Sequence, residues 1–427
     1  MKLSRRRFSL LAGVATAGLA MPRVARAQAK PRVVIVGGGA GGATVARYIA
    51  KEQVGAVNVT LIEANAEFTS CFFSNHYIGG YRDFASITHR YDTLVSSYGI
   101  SLVTGRAVAV DRAAKAVMMH DGARIAYDRL VISPGIDLIY DSVSGYSEAA
   151  AELMPHAWKG GAQTKLLKSK LDAVRNGQNI LIVPPPNPYR CPPAPYERAS
   201  IFAHVLTVKG YTDCKIIILD PKEKFAKQAL FQEGWQKYYP GMIEWYGPDV
   251  HGGIESVDPT AGAVITDLDT FKGALVNVIP AQRAGEIAAS AGLADGTGYC
   301  PIDPHSMKSQ LDKSIYIIGD ACIAGDMSKS AFAANSQAKV AAMHIRSELM
   351  GSGALPAEYS NICWSVIETD DAVKVGAQYR AGDDGIKSVS SFISHTGEEA
   401  GLRKRNYDDA IGWYMQISND MFGAPGG

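Results

Sequence analysis

The sequence lacks the cysteine patterns of zinc and c-type haem proteins. Its six cysteines include no Cys-x-x-Cys pair, and no Cys-x-x-Cys-His run occurs. These absences exclude a zinc ribbon and a covalently attached c-type haem in this chain. The nine histidines show no metal-ligand spacing either. We therefore expect no metal site and no haem here.

Apolar runs long enough to cross a membrane are also missing. The apolar run near the start of the chain is too short for this. Residues 8–21 are uncharged and mostly apolar, they follow Arg5, Arg6 and Arg7, and they precede the small-x-small triplet 25–27. This pattern predicts a signal peptide, because a membrane span needs about 20 apolar residues. The stretch 4–8, Ser-Arg-Arg-Arg-Phe, fits a twin-arginine signal, with an ordinary Sec signal as the alternative. We expect residues 1–27 to export the chain to the periplasm, and we expect no membrane span.

An excess of positive charge is absent once this segment is removed. Cleavage after Ala27 would take away six of the 43 basic residues and none of the 42 acidic ones, leaving a net charge of −5. A nucleic-acid-binding chain would carry a basic excess, so this balance argues against nucleic acid as a partner. A slightly acidic surface suits a basic partner, although net charge alone is weak evidence.

A dinucleotide-binding pattern opens the remaining chain. The segment 32–36, with its apolar run 33–36, predicts a short buried strand, and Gly37, Gly39 and Gly42 then satisfy Gly-x-Gly-x-x-Gly before a predicted helix. A second predicted strand ends in Glu63, 21 residues after Gly42. The glycines allow a tight turn and close approach to a pyrophosphate, and the acidic side chain can hold a ribose hydroxyl. Strand, glycines, helix, strand and acid in register predict a nucleotide fold.

Two later segments favour FAD over NAD in this fold. A predicted strand over 130–132 runs into Ser-Pro-Gly, and another over 315–318 runs into Gly319-Asp320. These segments resemble the second and third FAD signatures of glutathione-reductase-like flavoproteins. The resemblance implies that Asp320 binds the ribityl and phosphate region, and that the helix predicted over 331–350 points its N-terminus at the flavin, whose anionic reduced ring the helix dipole would stabilise.

A second predicted nucleotide fold lacks glycine where a phosphate loop should lie. Strands are predicted over 179–183 and 215–219, with a helix over 197–208 between them. The link 184–197 contains seven prolines and no glycine. Proline has no backbone N–H, so this link cannot cradle a pyrophosphate as a glycine loop does. We expect no NAD(P)H site, and the link carries Cys191 instead.

Three cysteine segments resemble one family. The segments 69–80 around Cys71, 184–197 around Cys191 and 361–365 around Cys363 are similar to segments of the flavoprotein subunit of flavocytochrome c sulfide dehydrogenase, within the sulfide:quinone oxidoreductase superfamily. The resemblance spans nearly the whole chain after residue 27. It implies an α/β protein with two Rossmann-like dinucleotide-binding domains: an FAD domain over 30–150 and 277–350, a second domain over 151–276, and a C-terminal interface domain over 351–427.

The resemblance also implies a role for each matched residue. Cys71 would hold FAD covalently, the alternative being a small buried hydrophobic residue. Cys191 and Cys363 would form a redox-active disulfide, the alternatives being a structural disulfide or two unpaired thiols. Glu197 would deprotonate hydrogen sulfide, although a glutamate also suits the start of a helix. Cys214, Cys300 and Cys322 are expected to be packed thiols, with a further disulfide among them left open.

The implied function is oxidation of hydrosulfide to sulfur or polysulfide. Electrons would pass through the cysteine pair and FAD to a c-type cytochrome subunit, bound to this chain as a heterodimer. A sulfide:quinone oxidoreductase is the first alternative, and the charged segment 397–409 disfavours it because quinone is reached through an apolar surface. A non-catalytic flavin-binding accessory protein of a thiosulfate-oxidising system and an NADH-dependent disulfide reductase are the others.

Overall fold

The computed structural model describes residues 29–52 and 55–425, so the predicted signal peptide lies outside the described residues. The strands in chain order are β1 Arg32–Val36, β2 Asn58–Glu63, β3 Glu67–Thr69, β4 Thr88–Arg90, β5 Ser101–Thr104, β6 Ala107–Asp111, β7 Ala116–Met119, β8 Arg124–Ala126, β9 Arg129–Ile132, β10 Ile136–Ile139, β11 Asn179–Val183, β12 Lys215–Leu219, β13 Ile243–Tyr246, β14 Ile254–Asp258, β15 Ala263–Thr266, β16 Thr270–Lys272, β17 Leu275–Val278, β18 Ala281–Ala284, β19 Cys300–Pro301, β20 Lys308–Ser309, β21 Asp312–Ile317, β22 Cys322–Ile323, β23 Glu358–Glu368, β24 Asp371–Gly382 and β25 Gly385–Ile393. The helices are α1 Ala40–Glu52, α2 Ser74–Ile78, α3 Asp92–Tyr98, α4 Ala162–Ala173, α5 Ala194–Val208, α6 Gln228–Tyr238, α7 Pro248–His251, α8 Glu286–Ser290, α9 Ala331–Met350 and α10 Ala400–Phe422.

The first nucleotide fold is a six-stranded sheet in the order β20-β21-β9-β1-β2-β5. β1 lies between β2 and β9 and runs parallel to both. Its residues Val33 to Val36 are buried, as expected for a parallel strand covered on both faces. β21 joins the sheet beside β9, which brings the segment before Asp320 next to the glycine loop. The predicted fold around Gly37 is confirmed.

The second nucleotide fold is a parallel sheet in the order β13-β12-β11-β17. β11 and β12 have the bounds that the sequence predicted, because each is a short run of buried aliphatic side chains. β17 pairs with β11, so the predicted boundary between residues 276 and 277 falls inside a strand of this sheet. Two nucleotide-type sheets, one parallel throughout and one parallel except for its edge strand β20, confirm the predicted α/β fold class.

The C-terminal part is a three-stranded antiparallel sheet, β23-β24-β25, followed by α10. β23 carries Cys363 near its middle. α9 begins after Ser330, whose hydroxyl accepts the Ala333 N–H at 3.0 Å, a standard N-cap. The Ser330 hydroxyl also donates to Asn361 Oδ1 of β23 at 2.7 Å, which ties the start of α9 to the Cys363 strand.

Candidate active site

The glycine loop between β1 and α1 is shaped by close backbone contacts. Gly37 has φ +98°, and a Cβ there would overlap the carbonyl oxygen of Ser133. A Cβ on Gly42 would overlap the carbonyl oxygen of Gly37, so α1 can pack against the loop only without a side chain at that position. A Cβ on Gly39 would meet only the Phe68 ring, at 3.4 Å. Backbone packing therefore requires glycine at positions 37 and 42, whereas Gly39 leaves space beside the loop for a ligand.

Glu63 and Asp320 face the same cleft as the loop. The cleft has a volume of about 730 Å³, and Gly37, Gly39, Glu63 and Asp320 all line it. The Glu63 carboxylate accepts the Gly38 N–H at 2.6 Å, which fixes it at the loop. Asp320 is 8% exposed, and its Oδ1 is buried without a hydrogen-bond partner among the described residues. A buried carboxylate oxygen without a partner requires a donor from a ligand or water.

These features fit a dinucleotide. The open backbone at Gly39, the start of α1 and the acid at the end of β2 suit a pyrophosphate and a ribose, and the free Asp320 oxygen can accept a hydroxyl of the cofactor. The cleft volume lies within the usual range for cofactor sites, about 300–1,000 Å³. Gly37, Gly39, Glu63 and Asp320 are therefore the residues that would hold the cofactor, with Gly42 setting the helix position.

A second, smaller cavity of about 100 Å³ adjoins the cleft. Cys71, Phe72 and Arg190 line both the cavity and the cleft, as does the start of α9. The smaller cavity also contains Cys191, Glu197 and Cys363 in its wall. The predicted flavin-attachment cysteine, the two predicted redox cysteines and the predicted base thus converge at one place. Cys71 lies at the junction of the cleft and this cavity.

Cys191 is held on the proline-rich loop between β11 and α5. Its φ of +57° lies in the left-handed region, which is uncommon for a residue other than glycine. The Cys191 N–H donates to the carbonyl oxygen of Lys329 at 2.8 Å, and Arg190 pairs with Asp320 at 3.4 Å. The loop is therefore anchored to the segment before α9 and to the cofactor cleft. Left-handed backbone at such a site is held by its surroundings.

Cys363 projects from β23 into the same cavity, with its Sγ 3.9 Å from Asn361 Oδ1. All six cysteines are free thiols in this structure, so the disulfide expected between Cys191 and Cys363 is not formed here and the pair is in its reduced form. Burial raises the pKa of both Cys191 and Cys363, and the charge of Cys363 raises that of Cys191 further. The two thiols line the same cavity, Cys191 from the loop before α5 and Cys363 from β23. Cys300 and Cys322 lie opposite each other in the β19–β22 pair and are buried, as is Cys214, in accord with the prediction of packed thiols.

Glu197 lies in the first turn of α5, and both its carboxylate oxygens accept hydrogen bonds. Asn75 Nδ2 donates to Oε2 at 2.7 Å, and the Val366 N–H donates to Oε1 at 2.9 Å. Burial raises the pKa of Glu197 above its usual value, while these hydrogen bonds oppose the shift. A carboxylate with a raised pKa beside two thiols is suited to accept a proton near neutral pH.

Asn75 and Arg198 support Glu197, and neither was predicted as a site residue from the sequence. Arg198 is 2% exposed, and its Nε donates to Asn75 Oδ1 at 3.1 Å. Because arginine only donates, the Asn75 amide must turn its NH₂ group toward Glu197. Arg198 also donates to the carbonyl oxygens of His156 and Ala157, both at 2.9 Å. The orientation of the Glu197 carboxylate is thereby fixed.

Lys227 is a further site residue that sequence reasoning missed. It precedes α6 and is 6% exposed. Its Nζ donates to the carbonyl oxygen of Cys363 and to the Ser365 hydroxyl, both at 2.9 Å. The position is 136 residues from Cys363 in sequence, and no motif surrounds it, so only the folded structure reveals it.

The second nucleotide fold has lost the features of a nucleotide site. Residues 184–193 connect β11 to α5 without a glycine, and at the end of β12 Asp220 is fully buried. Its Oδ2 accepts from the Tyr196 hydroxyl at 2.5 Å and from Trp245 Nε1 at 3.0 Å, and Lys222 pairs with its Oδ1 at 2.7 Å. The carboxylate that would hold a ribose is therefore already engaged.

The part of the chain that the structure describes holds neither a membrane-crossing helix nor a cluster of metal-ligating side chains. No helix there is both long enough and apolar enough to cross a membrane. Within the same residues, no group of three or more His, Cys, Asp or Glu side chains could hold a metal ion.

Family comparisons agree with the site. Residues 164–280 match the model of the central region of the sulfide dehydrogenase [flavocytochrome c] flavoprotein chain, and residues 356–422 match the flavin-binding region of flavocytochrome c sulphide dehydrogenase. Residues 31–183 match the pyridine nucleotide-disulphide oxidoreductase model. The three matches together span most of the described chain.

Individual relatives point the same way. The flavoprotein chain of sulfide dehydrogenase [flavocytochrome c] from Chlorobaculum thiosulfatiphilum is 50% identical over 44 residues, which cover 10% of this chain and 90% of that one. The mitochondrial sulfide:quinone oxidoreductase of Mus musculus is 24% identical over 332 residues, 72% of this chain and 69% of that protein.

A solved structure shows the same fold. The sulfide:quinone oxidoreductase of Aquifex aeolicus superimposes with a TM-score of 0.72 at 18% identity and covers 93% of each chain. The flavin-binding family matches make FAD the dinucleotide of the cleft. The chain therefore belongs to the flavoprotein-chain family of flavocytochrome c sulfide dehydrogenase, among the FAD-dependent sulfide oxidoreductases.

Proposed function

We propose that this chain oxidises hydrosulfide to sulfur or polysulfide through Cys191 and Cys363. The observation that carries the proposal is the shared cavity, in which both thiols and Glu197 meet the cofactor cleft at Cys71. When bound, the flavin supplies a two-electron acceptor at that junction. By resemblance to the family, Cys71 would hold it covalently.

The protein's own residues carry out the sulfur chemistry. Glu197 accepts a proton from hydrogen sulfide, and the resulting hydrosulfide attacks a disulfide formed by Cys191 and Cys363. One sulfur keeps the added atom as a persulfide, and the other leaves as a thiolate, which family resemblance assigns to Cys363. Phe332, Trp364 and Trp413 line the same cavity and exclude water from the reacting sulfurs.

The cavity also suits an anionic substrate. Arg190 and Arg198 contribute to its wall together with Glu197, and Lys227 lies behind Cys363. Three cations against one carboxylate in a partly closed site stabilise the hydrosulfide anion once Glu197 has accepted the proton of hydrogen sulfide. Arg190 is in part balanced by Asp320, which faces the cofactor side.

We propose a c-type cytochrome subunit as the electron acceptor and a heterodimer as the assembly. The family matches carry the name flavocytochrome c, which supports this choice. α10 also supports it, because its apolar side chains, including Tyr407, Ala410 and Ile417, are buried in the protein while its outer positions are mostly polar or charged. An exposed apolar face for reaching quinone is thus missing on this helix.

We also propose where the chain is located and which other activities compete with sulfide–cytochrome c reduction. Residues 1–27 support export by a twin-arginine signal to the periplasm, where c-type cytochromes are assembled.

Sulfide:quinone oxidoreductase activity is the second candidate, favoured by the mouse relative and by the fold. Intact Cys191, Cys363 and Glu197 argue against an accessory protein without catalysis.

The test compares two acceptors. The chain is purified under mild conditions from its native source and mixed with sulfide. The acceptor is either a soluble c-type cytochrome or a quinone held in lipid vesicles. We expect a haem c subunit to co-purify and its haem to be reduced by sulfide, with no reduction in a Cys363→Ser variant. A monomer that turns over with quinone alone would establish the second candidate.

A further inference from the structure

Lys227 holds a buried positive charge next to the cysteine pair. Its amine contacts the Cys363 carbonyl and the Ser365 hydroxyl, both at 2.9 Å and both on β23. Among the described residues, no carboxylate forms an ion pair with it. Lysine is seldom buried without a charged partner, because removing its ammonium from water is costly. The burial of this cation is explained if it stabilises negative charge on a nearby thiol.

The titratable groups facing Lys227 are few. Burial lowers its pKa to about 8, and negative charge on Cys363, Glu197 and Cys191 opposes that shift, with Cys363 contributing most. At neutral pH the amine is therefore largely protonated, and it becomes more so whenever a thiolate forms beside it. From β24, Tyr379 also faces Cys363, and burial raises the pKa of its hydroxyl, which stays neutral.

Lys227 is placed unequally with respect to the two cysteines, because its amine contacts the carbonyl oxygen of Cys363 itself, whereas Cys191 lies on a separate loop anchored to Lys329. At Cys363 burial raises the thiol pKa, and Lys227 is the strongest opposing influence, followed by Ser330 and Asn361. At Cys191 burial, Cys363, Glu197 and Cys71 all raise the thiol pKa before the weaker effect of Lys227 enters. Arg190 and Arg198 flank that residue but are turned toward Asp320 and Asn75. Negative charge is therefore better tolerated on Cys363.

We infer that Lys227 is a positioning residue that selects which sulfur of the disulfide is attacked. Hydrosulfide forms a bond to Cys191 Sγ, the Cys191–Cys363 bond breaks, and its electron pair leaves on the sulfur of Cys363, the residue whose carbonyl oxygen the Lys227 ammonium contacts. The product is a persulfide on Cys191, which keeps the hydrosulfide proton, and a thiolate on Cys363. In thiol–disulfide exchange the sulfur with the lower thiol pKa leaves faster. This inference rests on the proposed function.

The first experiment measures the thiols without sulfide. The reduced holoenzyme is alkylated with iodoacetamide over a range of pH, and each modified cysteine is quantified by mass spectrometry. We expect Cys363 to react at lower pH than Cys191. In Lys227→Met, Cys363 should react about tenfold more slowly near neutral pH, as for a rise of about one unit in its pKa. Lys227→Arg, which keeps the charge, should restore the rate.

Ser365→Ala is the matched control. It removes one hydrogen-bond partner of Lys227 but leaves the ammonium beside Cys363, so the alkylation profile should stay close to that of the wild type. An equal loss in Ser365→Ala would show that local packing, and not charge, sets the reactivity. An unchanged Cys363 profile in Lys227→Met would overturn the inference. If Lys227→Met fails to fold, the wild type alone decides: alkylation of Cys191 at lower pH than Cys363 would overturn the inference equally.

The second experiment locates the added sulfur. Oxidised holoenzyme is treated briefly with sulfide, blocked and digested, and the persulfide is mapped. We expect it on Cys191 in the wild type and shared between both cysteines in Lys227→Met. A persulfide found mainly on wild-type Cys363 would contradict the inference. If sulfide does not react at all, the proposed function fails, whereas the alkylation results still decide the role of Lys227.

Discussion

Replacement of Glu197 by glutamine gives a sharp test of the proposed base. The wild-type carboxylate accepts one hydrogen bond on each oxygen, at 2.7 Å from Asn75 and at 2.9 Å from the Val366 N–H. Glutamine offers one acceptor oxygen, and its NH₂ group would face one of these two donors. We expect a loss of about 1–3 kcal/mol in the free energy of unfolding for that unsatisfied group. The flavin should remain bound.

The catalytic effect should be much larger than this structural one. Removal of a general base typically costs about 10²- to 10⁴-fold in rate. We expect sulfide-driven flavin reduction, followed by anaerobic stopped-flow absorbance, to slow by at least about 100-fold in Glu197→Gln. Glu148→Gln, which alters an exposed glutamate far from the cavity wall, should leave the rate unchanged.

The pH dependence distinguishes a base from a structural residue. Burial raises the Glu197 pKa, so the wild-type rate should fall as pH decreases through a value above about 4.3, the usual glutamate pKa. The side chain of Asn75 lowers that pKa by its hydrogen bond, so Asn75→Ala should move the acidic limb to higher pH. In Glu197→Gln the limb should vanish. Near-normal rates in Glu197→Gln across the whole pH range would refute the assignment.

Three further outcomes follow from the cofactor cleft and the second fold. Cys71 lies where the cleft meets the cysteine cavity, so the denatured wild-type chain should keep its flavin fluorescence in a gel, and Cys71→Ala should lose it. Release of free FAD from the denatured wild type would contradict the covalent link. A Cβ on Gly42 would overlap backbone, so Gly42→Ala should lower the free energy of unfolding by about 3 kcal/mol, measured by urea titration; an unchanged midpoint would contradict this packing. Because Asp220 is already engaged, neither NADH nor NADPH should bleach the flavin anaerobically, and rapid bleaching would overturn this view of the second fold.

Much of the fold could be predicted because its signals are local. β1, β11 and β12 are short aliphatic runs bounded by turns, and their bounds matched the expectation. α9 also matched at both ends, since Ser330 caps its start and Gly351 follows its end with φ +69°. The domain boundary near residue 276 was harder to predict from the sequence, because β17 joins a sheet whose other strands lie far away in sequence.

The support of the site could not be predicted, since it depends on contacts between distant segments. Asn75 meets Glu197 only because α2 and α5 pack beside each other, and Arg198 is buried by segments that follow β10. Lys227 reaches β23 across the interface between the second fold and the C-terminal sheet. The cysteines were recognisable from their neighbours in sequence, whereas the charges that tune them carry no local pattern.

Anaerobic titration of the isolated chain with sulfide tests the central claim most directly. The flavin absorbance is recorded for the wild type, Cys191→Ser and Cys363→Ser, each with its flavin content checked beforehand. The account predicts full bleaching of the wild type by sulfide and none in either variant, with FAD still bound in all three. Bleaching of either variant at close to the wild-type rate would show that electrons reach the flavin without the cysteine pair, and would contradict the account.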